Sequence, residues 1–280
     1  MNTYKLLLQK FGLGEARALY EFVMQHRFGL SRTDVLLGKD TKLSADDKAE
    51  LQIIIDRIAK GEPVQYVLGS EDFCGRSFLV GPGVLIPRPE TQQLVQLVEQ
   101  YVTLGGSVLD VGTGSGCIAI TLALAGYHLT AFDVSEEALS YARKNAERLG
   151  AEVDFVLEDI TACTMLPAPH TSQFNAIVSN PPYICRKEAA EMDYNVLRHE
   201  PDLALFVPDD DPMLFYRVIA DYGTQHLEDE GWLFFETNRA YTTQVGDLLQ
   251  EKGYKDIKII KDQYDNERFV IGRLGIVMNS

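Results

Sequence analysis

A chain of 280 residues, 46% of them apolar, is long enough for one large domain or two of ordinary size, each with a real core. A formal net charge of -15 with no basic stripe argues against a protein that grips nucleic acid by its phosphates, so no stable nucleic-acid binding is expected. There is no run of about 18 apolar residues, so no membrane span is expected, and the opening MNTYKLLLQKF has too short an apolar region for a signal peptide. Cys74, Cys117, Cys163 and Cys185 are scattered without CxxC spacing, which argues against a zinc site or a disulfide framework and fits small, buried or partly buried residues in a reducing cytoplasm.

Residues 1–65 read as helical. Leu19, Phe22 and Val23 fall at helical spacing within Glu15 to His26, with Gly29 as a stop. Ser44 and Asp47 resemble a capping box that opens a helix carrying Leu51, Ile54, Ile55 and Ile58, closed near Gly61 to Pro63. Nothing there looks catalytic, and the module reads as a packing or partner-recognition unit. Residues 66–86 mix β-branched and aromatic residues with glycines, which predicts a hairpin linker. Pro87-Arg88-Pro89-Glu90-Thr91 then makes a stiff turn that holds Arg88 and Glu90 close together before a helix reaching Tyr101.

From Ser107 the pattern is strand, helix, strand. Strands are expected at 107–111, 128–133, 153–158, 174–179 and 232–236, with a last pair at 257–260 and 268–273; helices are expected at 117–125, 136–149, 212–227 and 242–252. Such alternation predicts an open α/β sheet, parallel in most strands, with its ligand beyond the carboxyl ends of the strands. The motifs fall at that edge: Gly112-Thr113-Gly114-Ser115-Gly116 after the first strand, Asp133 after the second, Asp159 after the third and Asn180 after the fourth.

A glycine loop followed 21 residues later by an acid, Asp133, fits a dinucleotide as well as a nucleoside. Three details favour S-adenosyl-L-methionine over NAD. The dinucleotide pattern needs glycine where Cys117 stands. Asp110 creates D-x-G-x-G-x-G, which resembles the S-adenosylmethionine loop of class I methyltransferases, and an acid there would repel a pyrophosphate. Asp159, beside apolar Ile160, is placed to bind an adenine amine.

Asn180-Pro181-Pro182-Tyr183 follows an apolar strand. In so stiff a turn the Asn180 carboxamide oxygen and the Pro181 carbonyl can both point as acceptors at a planar NH2 group, with the Tyr183 ring against its face. An amide nitrogen is a poor nucleophile. Two acceptors on its N–H groups would aim its lone pair at an activated methyl and stabilise the positive charge that grows on nitrogen. The histidines (His26, His128, His170, His199, His226) show no triad-like setting and read as structural or surface residues.

With these motifs assembled, the chain closely resembles the release-factor glutamine methyltransferase (HemK/PrmC) family. The resemblance spans nearly the whole sequence: GEPVQYVLGSEDFCGRSF, LIPRPET, DVGTGSGCIAI, SNPPYI, HEPDLAL and DQYDNERFVIGR. It implies a class I methyltransferase domain with a Rossmann-like seven-stranded sheet over 87–280, a β-hairpin linker over 66–86 and a helical domain over 1–65 that recognises the release factor. It implies S-adenosyl-L-methionine as donor, S-adenosyl-L-homocysteine as product, and the side-chain amide of the GGQ glutamine of class 1 peptide-chain release factors as acceptor. A cytoplasmic location is expected, and a monomer, since nothing in the sequence demands a dimer. Carried over by position, Gly112 to Gly116, Asp133, Asp159, Ile160 and Asn180 would hold the cofactor. Asn180 to Tyr183 would hold the glutamine and make the catalytic clamp, with Arg88, Pro89 and Glu90 lining the site.

Three departures from the family pattern stand out: Gln92 where a second acid is common, Glu236-Thr237-Asn238 where E-x-G is common, and Ile160 where an aromatic is common. Asn238 is able to keep the turn by adopting left-handed geometry. NPPY alone also fits a DNA adenine or rRNA guanine amino-methyltransferase, which the acidic charge disfavours. A catalytically dead scaffold is disfavoured by the intact loops.

Overall fold

The computed structural model describes residues 3–162, 173–191 and 194–275. Cys163 and His170, read above as structural residues, lie outside them. The chain divides into two compact units, residues 1–70 with 80–82 and 193–199, and residues 71–79 with 83–192 and 200–280.

The first unit is helical. α1 (Thr3–Phe28) runs further toward the N-terminus than the periodicity suggests, with a break at Gly12, whose φ is 75°. α2 (Arg32–Leu36) opens with a complete capping box from Ser31 and Asp34, which the sequence reading missed. α3 (Ala45–Ala59) starts at Ser44, whose hydroxyl accepts from the Asp47 amide. Leu51, Ile54, Ile55 and Ile58 of α3 are buried against Leu7, Val23 and Met24 of α1, while Leu19 and Phe22 pack at the rim.

The hairpin expected over 66–86 is shorter than that. Residues 64–68 form a helix, α4 (Val64–Leu68), because Val64 and Val67 are buried in the helical core, and burial overrides their strand propensity. Gly69, at φ 78°, ends it. The strands that remain are β1 (Ser70–Phe73) and β2 (Arg76–Leu79). Phe73 and Phe78 meet edge to face with ring centroids 6.0 Å apart.

The second unit is a seven-stranded sheet. α5 (Thr91–Tyr101) precedes β3 (Ser107–Val111), α6 (Cys117–Ala125), β4 (His128–Asp133), α7 (Glu136–Leu149), β5 (Val153–Leu157) and β6 (Phe174–Ser179). A stretch not expected as regular structure follows: the short pair β7 (Ile184–Cys185) and β8 (Phe206–Val207), with α9 (Asp202–Leu205) before β8 and α8 (Tyr194–His199) belonging to the first unit. Then come α10 (Leu214–His226), β9 (Leu227–Glu236), α11 (Thr242–Glu251), β10 (Tyr254–Lys261) and β11 (Glu267–Leu274).

The strand order is β10-β11-β9-β6-β3-β4-β5. β9, β6, β3, β4 and β5 are mutually parallel; β11 runs antiparallel to both β9 and β10, so β10 shares the direction of the parallel set, as in a mostly parallel open sheet. Strand side chains alternate between two buried layers. Val108, Ala176, Val178 and Phe234 pack with α5, α6 and the hairpin phenylalanines. Leu109, Val111, Ile177, Leu233 and Phe235 pack with α10 and α11. Successive parallel strands go to opposite sides of β3, so β3 and β6 flank the switch point where ligands bind in such sheets.

Candidate active site

Parallel pairing brings distant residues to one edge. Val111 pairs with Phe132 and with Ser179, and Ser179 pairs with Phe235. The next residue on each strand therefore falls in one row: Gly112, Asp133, Asn180 and Glu236. The first three were expected at this edge; Glu236 was not.

The glycine loop is held from beneath. The Gly112 and Thr113 amides both donate to the Phe132 carbonyl at 2.9 Å. Thr113 Oγ1 donates to Asp110 Oδ2 at 2.7 Å, while Asp110 Oδ1 is buried without a hydrogen-bond partner among the described residues. Burial pushes the Asp110 carboxyl up to about 7, against the lowering effect of Thr113. The fully buried position supports a role for this acid in orienting the loop. Gly116, at φ 81°, has no room for a side chain: a Cβ would lie 2.8 Å from Ile120 Cδ1 and 3.1 Å from Ala142 Cβ. Gly112 is the opposite case, since a Cβ there would meet no protein atom within 4 Å. The loop is thus an open cradle on a closed base, and it fits a ligand laid against backbone.

Asp133 Oδ2 accepts from the Gly114 amide at 2.8 Å and Oδ1 from the Ser135 amide at 2.9 Å. Burial raises its pKa while those amides pull it down. An ionised carboxylate has about four acceptor positions, so a diol can still be bound there. Asp159 is exposed and caps its own turn, accepting from Thr161 N at 2.9 Å and Thr161 Oγ1 at 2.7 Å. Ile160 is buried with Phe132 and Val111, so it is a wall of the apolar layer as well as the neighbour of Asp159.

Across β3, Asn180 is half-buried and Pro181 buried. Asn180 Nδ2 lies 3.3 Å from Thr91 Oγ1, and Thr91 Oγ1 donates to Glu236 Oε2 at 2.8 Å. Neither Asn180 Oδ1 nor the Pro181 carbonyl has a partner among the described residues. Tyr183 packs against the apolar layer, and burial beside Glu236 pushes its phenol up to about 12. Glu236 is buried, and its carboxyl is pushed up to about 7 by that burial.

Arg88 reaches Glu200 rather than Glu90, with Nη2 2.6 Å from Oε1. Glu90 is the residue before α5 and makes no side-chain capping bond. Pro89 is exposed. Gln92 Oε1 accepts from the Cys74 amide at 3.3 Å, which ties α5 to the hairpin. Asn238 does not take the left-handed geometry suggested for it. Its Oδ1 accepts from the Ala240 amide at 3.0 Å and its Nδ2 donates to the Tyr183 carbonyl at 3.3 Å, so side-chain bonds rather than backbone freedom make the turn.

Residues 1–69 match the PrmC N-terminal domain and residues 89–199 the Methyltransferase small domain. A release factor glutamine methyltransferase from Bacteroides thetaiotaomicron is 45% identical over 258 residues, covering 91% of this chain and 92% of that protein. The chain belongs to the release factor glutamine methyltransferase family. The namesake from Flavobacterium psychrophilum is 36% identical, with 91% of each chain covered. A methyltransferase crystal structure from Pyrococcus furiosus superposes with a TM-score of 0.53 at 20% identity, covering 83% of this chain and all of that one, which shows the class I methyltransferase fold.

Two supports of this candidate site escaped sequence reasoning. Asn145 is fully buried in α7; its Nδ2 donates to the Ser115 carbonyl at 2.9 Å and to the Leu79 carbonyl at 3.0 Å, and its Oδ1 accepts from Leu79 N. It locks the glycine loop to the hairpin. The other is the Thr91–Glu236 pair. A polar residue on the buried face of a helix was the one available signal for Asn145. For Thr91 and Glu236 the signal was membership of PRPET and a place at the very end of the fifth strand.

Proposed function

We propose that this chain methylates the side-chain amide nitrogen of the glutamine in the GGQ motif of class 1 peptide-chain release factors, using S-adenosyl-L-methionine. The observation that carries this reading is the Asn180 amide: its donor edge is committed to Thr91 and its acceptor edge is uncommitted, one strand away from the glycine cradle. Bound S-adenosyl-L-methionine supplies a methyl group already activated by a sulfonium. Gly112 to Gly116, Asp133, Asp159 and Ile160 would hold it, and the open space above Gly112 fits it.

The residues of this chain then have to position and polarise. Asn180 Oδ1 and the Pro181 carbonyl accept from the two N–H groups of the glutamine amide, which withdraws the lone pair from conjugation and aims it. Pro182 stiffens the turn, and Tyr183 supplies an apolar wall. The same two acceptors stabilise positive charge on nitrogen in the transition state. Arg88 and Glu90 line the entrance, and residues 1–65 recognise the release factor outside the active site. A net charge of -15 supports a protein substrate over a polyanion. Among the described residues no helix is long and apolar enough to cross a membrane. On this reading the enzyme acts as a monomer in the cytoplasm, where release factors work.

Mass spectrometry of release factor co-expressed with and without this chain tests the proposal. One added methylene on the GGQ glutamine is expected. An unmodified glutamine beside methylated DNA or rRNA would replace this reading with the nucleic-acid one.

A further inference from the structure

The clamp works if the Asn180 carboxamide faces the substrate with its oxygen. Turned over, it would offer N–H groups to N–H groups, and nothing in the side chain itself decides between the two faces. What surrounds it does. We propose that Thr91 and Glu236 are positioning residues that set the face of the Asn180 amide: the Glu236 carboxylate takes the Thr91 hydroxyl proton, the Thr91 oxygen is left as an acceptor, and the donor edge of Asn180 alone can meet it. The inference rests on the proposed amide clamp and extends it to two residues outside the NPPY motif.

Three facts support the chain of bonds. Thr91 Oγ1 to Glu236 Oε2 is a buried contact of 2.8 Å between residues that are 3% and 2% exposed. A hydroxyl has one proton, so once it is given to Glu236 what remains on Oγ1 is lone pairs. Asn180 Nδ2 is 3.3 Å from that oxygen, and placing Oδ1 there would set lone pairs against lone pairs. The contact is long, so Thr91 biases the amide rather than locking it.

The pair also couples the clamp to protonation. A protonated Glu236 can donate to Thr91 Oγ1. The Thr91 proton is then free to turn toward Asn180, where it attracts Oδ1 and reverses the amide. The groups that face Glu236 are Thr91 on α5, Arg88 and Glu90 just before it, Tyr183 after β6, Tyr216 on α10 and Arg268 on β11. The arginines favour the ionised form; Glu90 and burial oppose it. With its carboxyl pushed up to about 7, Glu236 changes state in the range where the enzyme would be assayed. The active form carries the ionised carboxylate, so activity rises as pH rises through that value.

The test uses full-length Thr91→Val and Thr91→Ser. With release factor as substrate, Thr91→Val is expected to lower kcat/KM about tenfold, the equivalent of one hydrogen bond. S-adenosyl-L-methionine affinity by calorimetry is expected to stay within about twofold, because the cofactor cradle is not part of this chain of bonds. Thr91→Ser restores the hydroxyl and most of the rate. Wild type shows the rise in kcat/KM near neutral pH and Thr91→Val does not. A Thr91→Val enzyme with wild-type kcat/KM and pH profile overturns the proposal, as does a Thr91→Ser enzyme no better than Thr91→Val.

A second measurement needs no catalysis. The side-chain NH2 resonance of Asn180, assigned by its loss in Asn180→Asp, is expected to shift with pH near neutrality in wild type and to stay fixed in Thr91→Val. A wild-type resonance that does not move overturns the coupling. If wild type leaves release factor unmethylated, the proposed function fails, and this resonance still decides the positioning role.

Discussion

Arg88 and Glu200, 112 residues apart, meet at 2.6 Å, with the carboxylate side chain 1% exposed. Glu200 Oε2 also accepts from the Ile86 amide at 3.2 Å, so one acid ties both sides of the proline turn to the HEPDLAL segment. Pro87 and Pro89 leave that turn few donors of its own, and the acid accepts from two that remain, the Ile86 amide and the Arg88 guanidinium. Removing the arginine leaves a buried carboxylate with the Ile86 amide as its one remaining partner among the described residues. Arg88→Met is expected to cost about 3 kcal/mol, read as a lower urea midpoint. Adding Glu200→Gln should recover part of that loss, because the stranded charge is gone. A double variant weaker than the single one would mean that the pair is not coupled.

Asn180→Ala removes the acceptor that the clamp needs and touches nothing in the glycine loop. On the proposed function, kcat should fall on the order of a hundredfold, as when one preorganised polar group is lost from a transition-state site. Binding of S-adenosyl-L-methionine should weaken modestly. Steady-state kinetics and calorimetry on the same preparation separate the two. Turnover comparable to wild type would refute the clamp.

Two glycines of one loop should fail in different ways. Gly116→Ala forces a Cβ to 2.8 Å from Ile120 at φ 81° and is expected to cost about 2 kcal/mol of stability, lowering Tm. Gly112→Ala, at φ 77°, shares the left-handed strain but meets no protein atom within 4 Å. It should cost less stability and more cofactor affinity, since its methyl points into the cradle. A thermal melt and a binding isotherm for each check the contrast; equal losses of stability would contradict it.

Stability should depend on pH through Asp110 and Glu236. Both carboxyls are pushed up to about 7 by burial, well above the value near 4 of an unfolded carboxylate. The folded state therefore holds more protons between those values. The stabilisation from both groups is complete below about pH 4 and is lost as pH rises through about 7, at no more than about 1.4 kcal/mol per pH unit for each group. Asp34 beside Lys39 and Asp211 beside Arg217 are held below the usual carboxylate range and act the other way, losing stability in strong acid. From these two groups Tm is thus expected to fall between about pH 4 and about pH 7 and to level off above that. Replacing Glu236 by Gln should flatten that fall; an unchanged slope would exclude it as a source.

The two kinds of information divide along the chain. Local pattern was enough for the alternation of strands and helices, for the glycine loop, for Asp133 and for the NPPY turn, because spacing and backbone chemistry act over a few residues. Alternation also implied parallel strands, and with them that the loop, Asp133 and Asn180 share an edge. Pattern misjudged Tyr66 to Leu68, where burial in the helical core outweighed strand propensity, and it left residues 184–207 without structure.

What the tertiary structure alone decided is which polar groups meet. Asn180 and Thr91 are 89 residues apart, Thr91 and Glu236 145, Arg88 and Glu200 112. Such bonds follow from sheet register and from how α5 lies on the sheet, and neither is encoded in the spacing of residues along one segment. The sequence names Asn180 as the candidate clamp, and the fold brings Thr91 and Glu236 to it.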